Sequence, residues 1–420
     1  MDHFDLRGGQ LHCEGVPLEV IAEEVGTPVY VYSAATLTRH ARVMRQALAG
    51  LDDPLIAYAV KANPNPAVLS TLAREGLGGD IVSIGEYRAA RTAGMAPETI
   101  LFSGVGKTSE EMAEALSGGL LQFNLESIEE ARTLSAVAQS IGREAPVALR
   151  INPDVEAGTH AKITTGKADN KFGLPAAEAV AAFKAIRGLP GLRVTGVTVH
   201  IGSQLISLAP LEAAFTRLGT LIAALRQEGF ELEIADLGGG LGVPYGAGQP
   251  EPPTPADYGA MVKRVTKDWG IRLAFEPGRL ISGNAGVLLT RVIRVKPGET
   301  HPWLIVDAAM NDLMRPALYD AWHAIEAVAP RGEKMVANVV GPVCESGDTF
   351  ATAREMDKVE AGDLVVFRTA GAYSAAMSST YNSRPLTAEV LVDGDRWAVV
   401  RPRVDIADLI AADAVPDWLG

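Results

Sequence analysis

The ten residues Ala57–Pro66, AYAVKANPNP, set a single lysine after an unbroken run of small and apolar side chains and close on Asn and Pro. Such a run, ended by turn residues, reads as a buried strand. Strands buried on both faces belong to parallel sheets. An ammonium at the end of one needs either a partner or a task.

Working outward from that strand, β-rich runs alternate with Ala/Leu/Glu/Arg segments of helical period from about residue 36 to 280. Eight runs read as strands: LIAYAV, GGDIVS, TILFSG, LLQFNL, VALRIN, VTGVTVH, LEIADLG and RLAFE. SIGEYRAARTAG and SIEEARTLSAVAQSIG open on Ser, carry Glu in the first turn and end at Gly, as capped helices do. Eight such units predict a (β/α)8 barrel over 36–280, with a doubly wound open sheet as the alternative.

Past residue 285 the rhythm changes. VLLTRVIRVK, WLIVDAA, KMVANVVG, DLVVFRTAG, AEVLVDGD and RWAVVRPR follow one another with turns and few helices, which predicts a mostly antiparallel β domain. FDLRGGQLHCEG and PVYVYS near the start read the same way, so residues 1–35 and 281–420 are expected to form that second domain together. The Pro-rich stretch GQPEPPTPADYG (248–259) reads as a loop within the barrel region. It and the loop at 155–172 are candidates to close over a site.

Composition narrows the function. The 420 residues include 38 Lys and Arg against 51 Asp and Glu, a net charge of −13, which argues against a general nucleic-acid binder. MDHFDLRGGQ shows no basic start followed by an apolar core, and no apolar run reaches the length of a membrane span. The two cysteines, Cys13 and Cys344, lie far apart and suggest neither a disulfide framework nor a zinc site. A soluble, cytoplasmic protein without a metal is expected.

In a barrel, functional groups project from the C-terminal strand ends. Here these are Lys61, Asp80, Ser103, Asn124, Asn152, His200, the glycines Gly238, Gly239 and Gly240, and Glu276. Glycines after a strand let backbone N–H groups approach a phosphate, although a lone triplet is more often a tight turn. FSGVGKTS is not a P-loop, because Leu101 stands where the motif requires Gly. Glu276 and Arg279 in AFEPGR read as a structural ion pair or as part of a site, and His200 alone as a core histidine. Cys344 and Glu345 in VVGPVCESGD sit on a Gly/Pro loop, where a proton-transfer role is more natural than burial.

Taken together and in order, YAVKAN, HIGSQ, LGGGLG, EPGR and GPVCESGD resemble the pyridoxal-phosphate decarboxylases built on the alanine-racemase-like fold. THAKITTGKADNKFGL, MRPALYDAWH and TAGAYSAAMSSTYN extend the resemblance over essentially the whole chain. It implies a barrel plus a β domain made from both chain ends, and pyridoxal 5'-phosphate as cofactor. Lys61 would form the Schiff base, for which a largely desolvated amine is suited. His200 would stack on the ring, Ser203 lie near the phosphate, and Gly238, Gly239, Gly240 and Gly278 hold the phosphate through backbone N–H groups. Glu276 would face the ring nitrogen, and Tyr373 contact phosphate and substrate. Asp80 matches a position near the cofactor.

The substrate implied is meso-2,6-diaminopimelate, decarboxylated to L-lysine and CO2 in the last step of lysine biosynthesis. Arg279, Arg315 and Tyr319 would bind its distant carboxylate, arginine being suited to bidentate contact. Glu345 would read the distant amino group, and Cys344 would protonate the carbon. Relatives acting on ornithine, arginine or a carboxylated polyamine are the runner-up; ornithine-type members typically carry Asp after the cysteine. The resemblance further implies a homodimer in which Cys344 and Glu345 complete the site of the other protomer. A catalytically silent regulatory homologue would lack the lysine or the glycines, and both are intact.

Overall fold

Strand Leu55–Ala59 (β1), LIAYA, is buried at every position, and it opens a closed ring of parallel strands. The others are Gly78–Ile81 (β2), Ile100–Phe102 (β3), Gln122–Leu125 (β4), Ala145–Asn152 (β5), Leu192–Thr198 (β6), Ile234–Asp236 (β7) and Arg272–Phe275 (β8). Neighbours pair in parallel in chain order, and β8 pairs with β1 to close the barrel. The computed structural model describes residues 2–156 and 171–419. The chain divides into two compact units: Thr38–Pro244 with Pro250–Ile281, and Met1–Leu37 with Tyr245–Gln249 and Ser282–Gly420.

Local chemistry starts the barrel helices where the strands end. Asn65 caps helix Pro66–Arg74, its side chain accepting from the Ala67 N–H at 3.0 Å, with proline at the first position. Ser83 and Ser127 cap Ile84–Thr92 and Ile128–Ser140 in the same way. Reciprocal capping boxes, Thr108 with Glu111 and Thr254 with Asp257, open Ser109–Ser117 and Pro255–Thr266. Leu55, Ala57, Leu101, Ile234 and Ala274, from β1, β3, β7 and β8, form one buried cluster. With the strands so fixed, their C-terminal ends present the residues that matter for function.

In the other unit, Phe4–Arg7 and Gln10–Cys13 form a hairpin through Gly8 and Gly9, both at positive φ (59° and 84°), as a tight two-residue turn requires. Strand Val29–Ser33 lies between Gly286–Lys296, antiparallel, and Ala388–Asp393, parallel, so both ends of the chain share one sheet. Two strands there were not expected, Ile325–Ala327 and Thr349–Asp357. The second, TFATAREMD, is built largely of helix-forming residues and is held extended by antiparallel pairing with Lys334–Val340. Among the described residues, no helix is long and apolar enough to cross a membrane. Most of the loop expected at 155–172 lies outside the described residues.

Candidate active site

Lys61 leaves the barrel one step beyond β1, in the single turn Val60–Ala62, and its Nζ lies 2.7 Å from Asp80 Oδ2 at the end of β2. Asp80 is fully buried, and its Oδ1 has no hydrogen-bond partner among the described residues. The lysine is not largely desolvated, as its side chain is 37% exposed. A second acid, Glu86, accepts the Val82 N–H at 2.8 Å. Burial pushes its carboxyl up to about 7, with nearby Asp80 raising it further and Lys61 opposing.

Glu276 follows β8 and Asp236 ends β7, both buried. Their carboxyls are hydrogen-bonded to each other, and burial, then Asp236 and Asp80, holds Glu276 well above the usual carboxylate range. Asn124 reaches them from β4: its Nδ2 donates to Asp236 Oδ2 at 3.0 Å and to Ser103 Oγ at 3.1 Å, and lies 3.4 Å from Glu276 Oε1. Behind it, Gln122 Nε2 donates to Asn124 Oδ1 and Thr195 Oγ1 donates to Gln122 Oε1, each at 2.9 Å. The Thr195 hydroxyl also lies 3.1 Å from the Val147 carbonyl, so the Asn124 amide is oriented by its contact with Asp236.

His200 is half-buried, and its desolvation, aided by Arg150 and Lys61, pushes its pKa well below the usual imidazole value. The ring is therefore neutral, and its Nδ1 accepts the Gly239 N–H at 3.2 Å. The Gly238 N–H goes to Asp236 Oδ1 at 2.9 Å. Two of the three loop glycines thus direct their N–H groups at protein acceptors, contrary to the expectation that all three face a phosphate. Gly240, at φ 111°, is the one not engaged in these two bonds. The triplet is explained first by close approach: a Cβ on Gly239 would stand 2.2 Å from the Glu276 carbonyl oxygen. Arg279, whose Nη2 donates to Ser203 Oγ at 3.2 Å, opens the short helix Arg279–Ser282 just after Gly278.

In the other unit, Arg315 begins the helix Arg315–Tyr319, and its Nη2 donates to Tyr245 Oη at 3.0 Å. Its guanidinium lies 5.6 Å from the Tyr245 ring and 6.0 Å from that of Tyr319. Cys344 and Glu345 are exposed on their loop. The Cys344 N–H donates to Asn382 Oδ1 at 3.1 Å. The loop is anchored from below by buried Asp348, which accepts the N–H groups of Met310 at 2.6 Å and Val343 at 2.7 Å. Tyr373 is held at φ 54°.

Residues 34–283 match the family described as pyridoxal-dependent decarboxylase, pyridoxal binding domain. Diaminopimelate decarboxylase of Zymomonas mobilis is 53% identical over 418 residues, 99% of each chain, and that of Pseudomonas fluorescens 48% over 417 residues, again 99% of each. The chain belongs to the diaminopimelate decarboxylase family of pyridoxal-dependent decarboxylases. The structure of the M. jannaschii diaminopimelate decarboxylase in complex with L-lysine superposes with a TM-score of 0.94 at 36% identity, covering 100% of this chain and 99% of that one. The Helicobacter pylori enzyme, also with L-lysine, gives 0.90 at 37%, covering 94% and 98%.

Within this diaminopimelate decarboxylase fold, the expected barrel residues Lys61, Asp80, His200, Ser203, Arg279, Glu276 and the glycines all lie at the C-terminal ends of strands or in the loops that follow. Asp236, Gln122, Thr195 and Glu86 were missed. Each looks like ordinary turn, strand or cap chemistry, and only Glu86, as a first-turn glutamate, carried any signal. Lys107 of FSGVGKTS proves structural: it is fully buried, its Nζ donating to Gly104 O, Asn124 O and Glu130 Oε1 at 2.6, 2.9 and 2.6 Å. Of THAKITTGKADNKFGL (159–174), all but the last four residues lie outside the described residues.

Proposed function

We propose that this chain decarboxylates meso-2,6-diaminopimelate to L-lysine and CO2 with pyridoxal 5'-phosphate. The observation that carries the reading is the meeting, at one end of the barrel, of an amine on a buried acid with a second, paired acid and a glycine loop. These residues fit the cofactor: Asp80 Oδ1 is a buried acceptor without a partner among the described residues, and the Gly238–Gly240 backbone leaves no room for a side chain. Lys61 would bond the carbonyl carbon, Glu276 face the ring nitrogen, His200 cover the ring, and Gly240, Gly278, Ser203 and Tyr373 hold the phosphate. When bound, the cofactor supplies an electron sink for the pair left as CO2 departs.

The chain's own residues do the rest. Lys61 must give up a proton before it can act as an amine, and Asp80, 2.7 Å away, is placed to receive it. Neutral His200 presents an uncharged face to the ring, avoiding a buried cation there. Arg279 and Arg315, with Tyr319, bind the distant carboxylate, and Glu345 the distant ammonium. Cys344 donates the proton that replaces the lost carboxylate. L-lysine held by the M. jannaschii and H. pylori relatives supports lysine as the product.

The active form is a homodimer in which each protomer lends Cys344 and Glu345 to the site of the other. The exposure of both residues on their loop supports this. The test is CO2 release by the cofactor-loaded protein from meso-diaminopimelate, with ornithine, arginine and lysine as controls. Release from diaminopimelate alone is expected; release only from a control would overturn the substrate. Mixing inactive Lys61→Ala and Cys344→Ala proteins should restore part of the activity, and an inert mixture would refute shared sites.

A further inference from the structure

Glu276 is given its role by the cofactor reading above, and the inference that follows rests on that reading. We propose that Asp236 is the positioning residue of the ring-nitrogen site: as the ionised member of a buried carboxyl pair, it keeps the shared proton on Glu276 and aims it. It also ties that site to the glycine loop.

The assignment of the proton follows from who donates to whom. Asp236 receives two N–H bonds of ordinary length, from Gly238 at 2.9 Å on Oδ1 and from Asn124 at 3.0 Å on Oδ2. Among the described residues, Glu276 Oε1 receives only long contacts, 3.4 Å each, from Ser103 Oγ and Asn124 Nδ2. Good donors favour the charged form of the acid they serve. Two carboxyls in mutual contact inside a protein do not both ionise, so one proton is shared and belongs to the pair. The better hydrogen-bonded acid is Asp236, so the proton sits on Glu276 and is shared with Asp236. The charged and titratable groups facing the pair act as follows. Asp80 raises both acids, Lys61 opposes at Glu276, and the Tyr258 hydroxyl, on the helix beside β7, is itself pushed up by burial and by Asp236.

The Thr195–Gln122–Asn124 chain gives Asp236 its permanence. Each amide is held by the group behind it, and turning the Asn124 oxygen toward the acids would set it against Asp236 Oδ2 in place of the 3.0 Å hydrogen bond. With the cofactor bound, Glu276 would face the ring nitrogen with a proton to give it. The negative charge on Asp236 would then favour the protonated form of that nitrogen beside the Glu276 carboxylate. Because Asp236 also accepts the Gly238 N–H, one carboxylate links the two loops that would hold opposite ends of the cofactor.

The test uses the full chain loaded with cofactor labelled with nitrogen-15 at the ring nitrogen. The chemical shift of that atom, followed against pH, reports its protonation directly. Asp236→Asn keeps an oxygen for Gly238 but removes the charge, and the midpoint of ring-nitrogen protonation should fall by at least one pH unit, a tenfold loss. An unchanged midpoint in a variant that binds cofactor would overturn the proposal. Infrared spectroscopy of the cofactor-free wild type supplies the measurement that needs no Asp236 variant. A protonated-carboxyl stretch that disappears in Glu276→Gln is expected, and absence of that band would overturn it too. Failure of the wild type to bind cofactor at all would instead sink the functional reading, leaving the carboxyl pair to be judged by the infrared band.

Discussion

The point where β7 and β8 approach most closely invites a steric test, Gly239→Ala. A Cβ at that position would lie 2.2 Å from the Glu276 carbonyl oxygen and 3.0 Å from its carbon. Ordinary contact begins near 3.4 Å, so the strand ends must part by 3.4 − 2.2 = 1.2 Å. The atoms struck are backbone, and they are tethered: Glu276 N–H donates to Gly238 O at 2.9 Å, as Leu237 N–H does to Ala274 O. Neither can swing aside as a side-chain tip would. Overpacking of this kind costs about 1–3 kcal/mol, and the rigid surroundings place it near the upper end. A displacement of Glu276 by ~1 Å is enough to lower catalysis about 100-fold.

Gly106→Ala is the matched control, since nothing lies within 4 Å of its Cβ position. It should change stability by no more than about 0.5 kcal/mol. Thermal unfolding of the cofactor-free proteins, absorbance titration with pyridoxal phosphate and CO2 release together read the three effects. Gly239→Ala should melt earlier, bind cofactor more weakly and lose about two decades of activity. If it melts and binds like Gly106→Ala, the close approach does not constrain the site and the reasoning fails.

Lys107→Ala strips a fully buried ammonium from Glu130 and two carbonyls and should cost ~3–5 kcal/mol by chemical denaturation; a loss below about 0.5 kcal/mol would show that the clip is dispensable. Asp348→Ala removes the carboxylate that receives the Met310 and Val343 N–H groups. It should lower kcat/KM at least about tenfold by loosening the Cys344–Glu345 loop while cofactor titration stays normal, and a fall in cofactor affinity equal to the fall in activity would contradict it. Glu86, raised from 4.5 to about 7, contributes stability that is complete below pH 4.5 and is lost as pH rises through about 7. The cofactor-free protein should therefore lose on the order of 3 kcal/mol across that window, and Glu86→Gln should flatten the profile; equal slopes in both proteins would refute the assignment.

What was legible in the sequence is what breaks its local pattern. A lysine closing an apolar run and three glycines after a strand are conspicuous because neither composition nor periodicity calls for them. The eight barrel strands were legible for the complementary reason, since each obeys its period and its helix announces itself with a cap. Residues whose type suits their local setting gave no such notice. TFATAREMD looks helical, and its strand exists only because Lys334–Val340 lies alongside. Asp before Leu-Gly-Gly reads as turn chemistry, yet Asp236 becomes a buried acid once β7 and β8 pair in the closed barrel. The desolvation that raises Glu276, and the acid that pairs with Lys61 from 19 residues away, likewise depend on strands pairing side by side. Seeing the nucleophile in a sequence therefore differs from seeing its tuning: the first is a local exception, and the second is made by strands that meet only in the fold.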